Sequence, residues 1–286
     1  MIEKPFTEPD GWIQFFCQAE LPVLRHTVVE LERLREKADT VNARTLASVI
    51  LKDPMMTMRV LRYIEEHRRE RQLTDITTIE RALMMIGIVP FFRDFANLPQ
   101  VETQLSGHPQ ALLGLIKVIN RCLKAAHWAR EWAILRHDLD VDEITVAALL
   151  RNGAEMLMWA FAPTLALQVK AMQRADKALR SSVAQKEIYQ ITLNELGVAL
   201  AKEWRLPELI TTLMDPSQID GPRVKNVTLA TDLARHSANG WDDAALPDDY
   251  TAISELLHIN VETVLRKLGL DEEGKPLPPP ATAQKA

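Results

Sequence analysis

The chain has 286 residues, of which 47% are apolar and 26% charged, a balance that fits a soluble globular protein with a sizeable core. Its net charge of −5 and its ten glycines argue against an overall basic field for nucleic acid and against a turn-rich β fold. Ala, Leu, Glu, Arg, Met and Lys dominate, all strong helix formers, so the composition predicts an all-α protein.

Residues 1–11 carry Pro5, Pro9 and Gly11 and read as an irregular lead-in. The spacing predicts a short helix over 12–19, stopped before Pro22. A second covers 23–38, with Val23, Leu24, Val28, Leu31, Leu34 and Ala38 as its apolar stripe. Asn42 or Thr40 can cap a helix over 46–51. Asp53-Pro54 restarts the chain, since Asp accepts from orphan amides and Pro suits the first helical position. That helix carries Met55, Met56, Met58, Val60, Leu61 and Ile64, then turns polar at EEHRRER. Thr77 with Glu80 forms a capping box for a helix ended by Gly87. Phe91, Phe92 and Phe95 follow, and Gly107-His108-Pro109 reads as a joint between two lobes. A long amphipathic helix covers 111–135 and a loop 136–141. Asp140 with Glu143 resembles a capping box for a helix over 144–161, which Pro163 stops. Further helices are expected over 165–178, 183–204, 207–214, 224–238, 249–257 and 261–268. The tail from Gly274 is Pro-rich and reads as disordered or extended.

Few residues advertise chemistry. Cys17 and Cys122 lie far apart and fit no metal, redox or disulfide pattern, as expected of reduced thiols in a cytoplasm. No apolar run reaches the ~18 residues that cross a bilayer, and the N-terminus lacks a signal-peptide layout. None of the seven histidines forms HxxxH on a predicted helix. His137-Asp138 is a literal His-Asp pair, but it falls in a loop expected to be solvated, and His127 reads as a satisfied structural histidine. GxSxG, GxGxxG and GxxxxGK[ST] are absent, which argues against a serine nucleophile elbow and the common phosphate cradles.

Arg59, Arg62, Arg68, Arg69 and Arg71 form a basic cluster, with Tyr63 and His67 nearby. Arginine recognises phosphate and carboxylate through its planar fork. Glu65, Glu66 and Glu70 interleave, so the plainer reading is a solvated helix end laced by ion pairs four residues apart. Met55, Met56, Met58, Met84 and Met85 are read as core filling.

LPVL at 21–24, DPMMTMRVLRY at 53–63 and ITTIERALMMIG at 76–87 occur in this order. Together they resemble the HDOD domain, a bacterial signalling module related to HD-type phosphohydrolases. Asp53, Pro54, Thr57, Arg59, Leu61 and Arg62 match the family's second motif; Ile76, Thr77, Ile79, Ala82 and Gly87 match its third. Glu65-Glu66 stands where the family often has Asn-Ser, so nothing is carried over to that pair. LLRNGAEMLMW at 149–159 is similar to the segment that holds the His-Asp pair in HD enzymes, and EWRLP at 203–207 resembles a helix-ending W-x-LP motif, with Gly197 upstream.

The resemblance covers roughly residues 18–240. It implies an HDOD-type multi-helix bundle with an N-terminal lobe over about 18–107 and a degenerate HD-like lobe over about 108–240. A lead-in over 1–17, C-terminal helices over 241–273 and a tail over 274–286 flank it. The HD ligand positions fall on Cys122, Arg151, Asn152 and Leu193, and a later His pair falls near Asp215-Pro216. Ala154 takes the place of a small glycine, with Gly153 shifted by one. A two-metal site needs several imidazoles and carboxylates to lower the pKa of water. Arginine is a permanent cation and repels a metal. The resemblance therefore implies no catalytic residue, no metal and no cofactor. Arg151 is expected to pair with Glu155 four residues on, and Asn152 to hydrogen-bond within the bundle. The expected function is non-catalytic signal transduction in the cytoplasm through contacts with signalling proteins in trans. The alternatives are nucleic-acid or anion binding through Arg59–Arg71, and residual metal-dependent phosphohydrolase activity.

Overall fold

Helix starts follow the punctuation of the sequence in the computed structural model, which describes residues 1–67, 77–176, 178–218 and 221–277. Helix α1 (Pro9–Gln18) begins on a proline, earlier than the apolar spacing suggested. Helix α2 (Arg25–Arg35) leaves out Val23. Val23 is instead held extended, its amide donating to Pro99 O at 2.8 Å and its carbonyl accepting from Val101 N at 2.9 Å. Asn42 caps α3 (Ala43–Ile50) and Asp53 caps α4 (Pro54–Glu66). Helix α5 (Ile79–Ile86) is capped by Thr78, which accepts from Arg81 N, and not by Thr77. The Thr77 hydroxyl donates to Glu143 Oε1 at 2.6 Å instead, tying the two halves of the chain together. Gly87, at φ +83°, ends α5 and opens α6 (Ile88–Asp94); only glycine adopts that backbone cheaply. Helices α7 (Val101–Gln104) and α8 (Pro109–Leu135) follow.

Two expected long helices are each broken. The first is divided into α9 (Val141–Leu150) and α10 (Gly153–Phe161), with Arg151-Asn152 as the joint. Its expected capping box does not form: Asp140 pairs with Arg223 and Glu143 accepts from Thr77. After α11 (Pro163–Ala175), the second is divided into α12 (Ser181–Tyr189) and α13 (Leu193–Glu203). Gln190 turns left-handed between them, and Thr192 and Glu195 form a reciprocal capping box that restarts the chain. Apolar periodicity runs through both joints, so it could not reveal them. Helices α14 (Glu208–Met214), α15 (Pro222–His236), α16 (Leu246–Leu257) and α17 (Val261–Lys267) complete the order.

The result is all-α, with no strand among the described residues and only isolated bridges such as Val23 with Gln100. Helix α8 is the axis of the second half, packed on α9, α10 and α15. The buried methionines of α4 face α8, α9 and α10, so the core is continuous across the halves. Trp12 ties α1 to this core, donating to Tyr189 O at 2.9 Å. Met84 and Met85 are exposed and fill no core. His127 is also exposed. Leu277 donates back to Gly269 O at 2.8 Å, so the start of the expected disordered tail is folded onto the chain; residues 278–286 lie outside the described residues. Among the described residues no helix is long and apolar enough to cross a membrane.

Candidate functional site

The joint between α9 and α10 is where the sequence placed a degenerate metal site. Arg151 does not reach Glu155. Its guanidinium crosses to the end of α14 and donates to Met214 O at 2.9 Å. The last carbonyls of a helix have no partner within it, and a cation there also meets the negative end of the dipole. Burial lowers the Arg151 pKa, opposed at longer range by Asp232 and Asp215. Glu155 pairs instead with Arg121, at 2.5 Å.

Asn152 and Cys122 do come together. Asn152 Nδ2 lies 3.8 Å from Cys122 Sγ, the long, weak contact a thiol can accept. Cys122 is fully buried, and burial pushes its thiol up to about 12, so it carries no thiolate. Leu193 stands at the start of α13, its amide donating to Gln185 Oε1 at 3.0 Å. The space beside the joint is an apolar slot of about 20 Å³ lined by Met58, Gly153, Ala154, Gly197 and Trp204 among others. A Cβ on Gly153 would stand 3.0 Å from Met58 Sδ, so this glycine sets how closely α10 approaches α4. Among the described residues, no three His, Cys, Asp or Glu side chains gather where an ion could sit.

The literal His137-Asp138 pair lies in a turn after α8, with His137 exposed. Asp138 is largely enclosed and pairs with Arg136 at 3.2 Å and Arg223 at 3.9 Å, while Arg136 also donates to Leu256 O at the end of α16. A second His-Asp contact, His236 Nδ1 to Asp249 Oδ2 at 2.6 Å, joins α15 to α16. Sequence spacing gave no signal for it, because its partners are thirteen residues apart across a turn.

The second place of interest is a groove of about 290 Å³ between the end of α1, one face of α4 and the end of α6. Arg59 donates to Leu21 O and Glu20 Oε1, both at 2.7 Å. Arg62 donates to Ala19 O at 2.9 Å, Phe16 O at 3.3 Å and Glu66 Oε1 at 2.7 Å, and its guanidinium lies 5.9 Å above the Trp204 ring. Arg62 thus makes the expected pair four residues on, with Glu66, and both arginines are also anchored to carbonyls around the end of α1. Arg68, Arg69 and Arg71, the rest of the basic cluster, lie outside the described residues, as does Ile76. Across the groove, Tyr63 donates to Asp94 Oδ2 at 2.5 Å. Hydrogen bonds from Arg93 and Tyr63 hold the Asp94 carboxyl down to about 2. Glu20 and Asp94 belong to this site although no motif marked them; they reach it only through the packing of α1 and α6 on α4.

Residues 21–218 match the family model of the HDOD domain. The chain is similar in structure to the MmoQ response regulator of Methylococcus capsulatus str. Bath, with a TM-score of 0.64 at 20% identity, over 88% of this chain and 99% of that chain. It is also similar to a virulence factor of Campylobacter jejuni subsp. jejuni, with a TM-score of 0.66 at 17% identity, over 93% of this chain and 97% of that chain. At these identities the likeness carries the fold alone. No curated protein matches the chain.

Proposed function

The chain belongs to the HDOD domain family, and from that premise we propose that it is a non-catalytic signal-transduction protein acting through contacts with other proteins in trans. The observation that carries this reading is Arg151. At the joint where an HD enzyme would hold its His-Asp pair, this chain has a guanidinium bonded to the end of α14. A permanent cation beside an apolar slot opposes the binding of a divalent ion, and water cannot be activated without one in such a site. A response regulator shares the fold, and the signalling role is carried over from it only as part of this proposal. On this reading the HDOD unit spans 18–240, 241–273 is an appended helical segment, and the protein works in the cytoplasm.

The test uses the purified full chain. Elemental analysis after incubation with zinc, manganese or iron should give well under one metal per chain, and bis(p-nitrophenyl) phosphate should remain uncleaved. Tagged protein in its native host should capture a defined partner, and the purified pair should re-form the complex. Stoichiometric metal together with phosphodiester cleavage would overturn the reading, as would the lack of any partner that rebinds in purified form.

A further inference from the structure

The groove on α4 has its charges layered. The arginines lie low, with side chains 19% exposed for Arg59 and 18% for Arg62, while their carboxylate partners stand at the mouth, 64% exposed for Glu20 and 52% for Glu66. The stretch that reads in sequence as a basic cluster thus presents an acidic rim at its described end. Asp94 adds a third carboxylate, itself paired with Arg93 at 2.7 Å. We propose that this groove receives a basic side chain, lysine or arginine, from a protein partner.

An anion is the poorer occupant. To reach the guanidiniums it must displace two carboxylates that are tethered at bonding distance, and it brings its own charge beside Asp94. A cation displaces nothing. Glu20 and Glu66 each accept the guanidinium bond through Oε1, and among the described residues the second oxygen of each is left for an incoming donor. The volume of about 290 Å³ lies at the small end of ligand pockets, which run to about 1,000 Å³, and suits one or two side chains better than a nucleotide. Tyr63 and Phe95 line the same groove; Phe95 is buried and Tyr63 is stacked on His67, so the part-exposed Tyr63 ring is the apolar wall for the methylenes of a long basic side chain. Rim charges of this kind steer encounter and select partners more than they add affinity.

The inference rests on the protein-interaction reading and can fail separately from it. Four acetylated tetrapeptides, Ala-X-Ala-Ala with X as arginine, lysine, citrulline or glutamate, are titrated into the full ¹⁵N-labelled chain at low salt. The arginine and lysine peptides should shift the amides of Tyr63, Glu66, Asp94 and Phe95, and the neutral citrulline peptide and the glutamate peptide should not. The double variant Glu20→Gln, Glu66→Gln keeps acceptors for Arg59 and Arg62; it should bind the arginine peptide about tenfold more weakly with an unchanged melting temperature. Shifts at these amides from the glutamate peptide alone, equal shifts from arginine and citrulline, or no shifts from any peptide would each overturn the proposal. If the purified partner still binds the double variant at full strength, the groove inference fails and the interaction reading stands. If no partner exists, the interaction reading fails whatever the peptides do.

Discussion

At the α9–α10 joint, Arg151 holds the carbonyl of Met214 that ends α14. In the α4 groove, Arg62 holds the carbonyls of Phe16 and Ala19 around the end of α1. Both use the guanidinium fork to satisfy a distant helix terminus, and Arg136 does the same for Leu256 on α16. The two places differ on the other side of the fork. Arg151 is mostly enclosed at the end of α14, with Asp232 and Asp215 acting only at longer range. Arg59 and Arg62 face carboxylates that stand in solvent. The first arrangement closes a site; the second leaves one open to a partner. An arginine in a sequence therefore declares a donor fork, and its neighbours decide whether it acts as a staple or as the floor of a binding groove.

The largest expected effect tests the opposite staple, a carboxylate at a helix start. Asp53 is fully buried and accepts from Leu24 N and Thr27 Oγ1, both at 2.8 Å, and from Met55 N and Met56 N at 2.9 and 3.2 Å. Asp53→Ala should cost roughly 3 kcal/mol by urea unfolding, because several buried donors lose their acceptor. A cost below that of Arg62→Ala would break the symmetry between the two kinds of staple. Arg62→Ala should cost about 2 kcal/mol. Arg62→Lys should recover less than half of that, since a point charge cannot hold carbonyls and Glu66 together.

Arg151→Met sharpens the contrast. It removes a partly buried charge from apolar surroundings and keeps the stem, so the cost should stay under about 1 kcal/mol. A loss as large as that of Arg62→Ala would show the two forks to be equivalent. Restoring the pair itself, as Arg151→His with Asn152→Asp, should still leave the protein with well under one metal by elemental analysis, because Cys122 and Leu193 are unchanged. Stoichiometric metal in that variant would show the frame to be intact.

The smallest effect concerns pH. Asp94 is an acid depressed in the folded state, to about 2 from 3.8, by Arg93 and Tyr63. Its contribution is therefore complete above 3.8 and is lost as pH falls through about 2. A ¹³C titration should find its carboxylate still ionised at about pH 3, where an ordinary aspartate has largely protonated. A midpoint near 3.8 would remove the Tyr63 and Arg93 bonds from the description of the groove.

Local signals were legible where one residue does a job alone. Asn42 and Asp53 cap α3 and α4 as their side chains predicted, and Gly87 ends α5. The motifs around Leu21, Asp53 and Ile79 pointed to the family that residues 21–218 match. Signals failed where a side chain had a better partner elsewhere. Thr77 was read as a cap and bonds Glu143; Glu155 was read as the mate of Arg151 and bonds Arg121. Met84 and Met85 were read as core filling and are exposed.

The sequence by itself determined the all-α class and most helix starts, because propensity and capping are local properties. Only the tertiary structure decided that Arg151 ends α14, that Arg59 and Arg62 are anchored below an acidic rim, and that Glu20 and Asp94 belong to one groove. Those facts depend on which helix ends meet which side chains across tens of residues. A charge or a donor acquires its role from the partner that desolvates or neutralises it, and spacing along the chain does not name that partner.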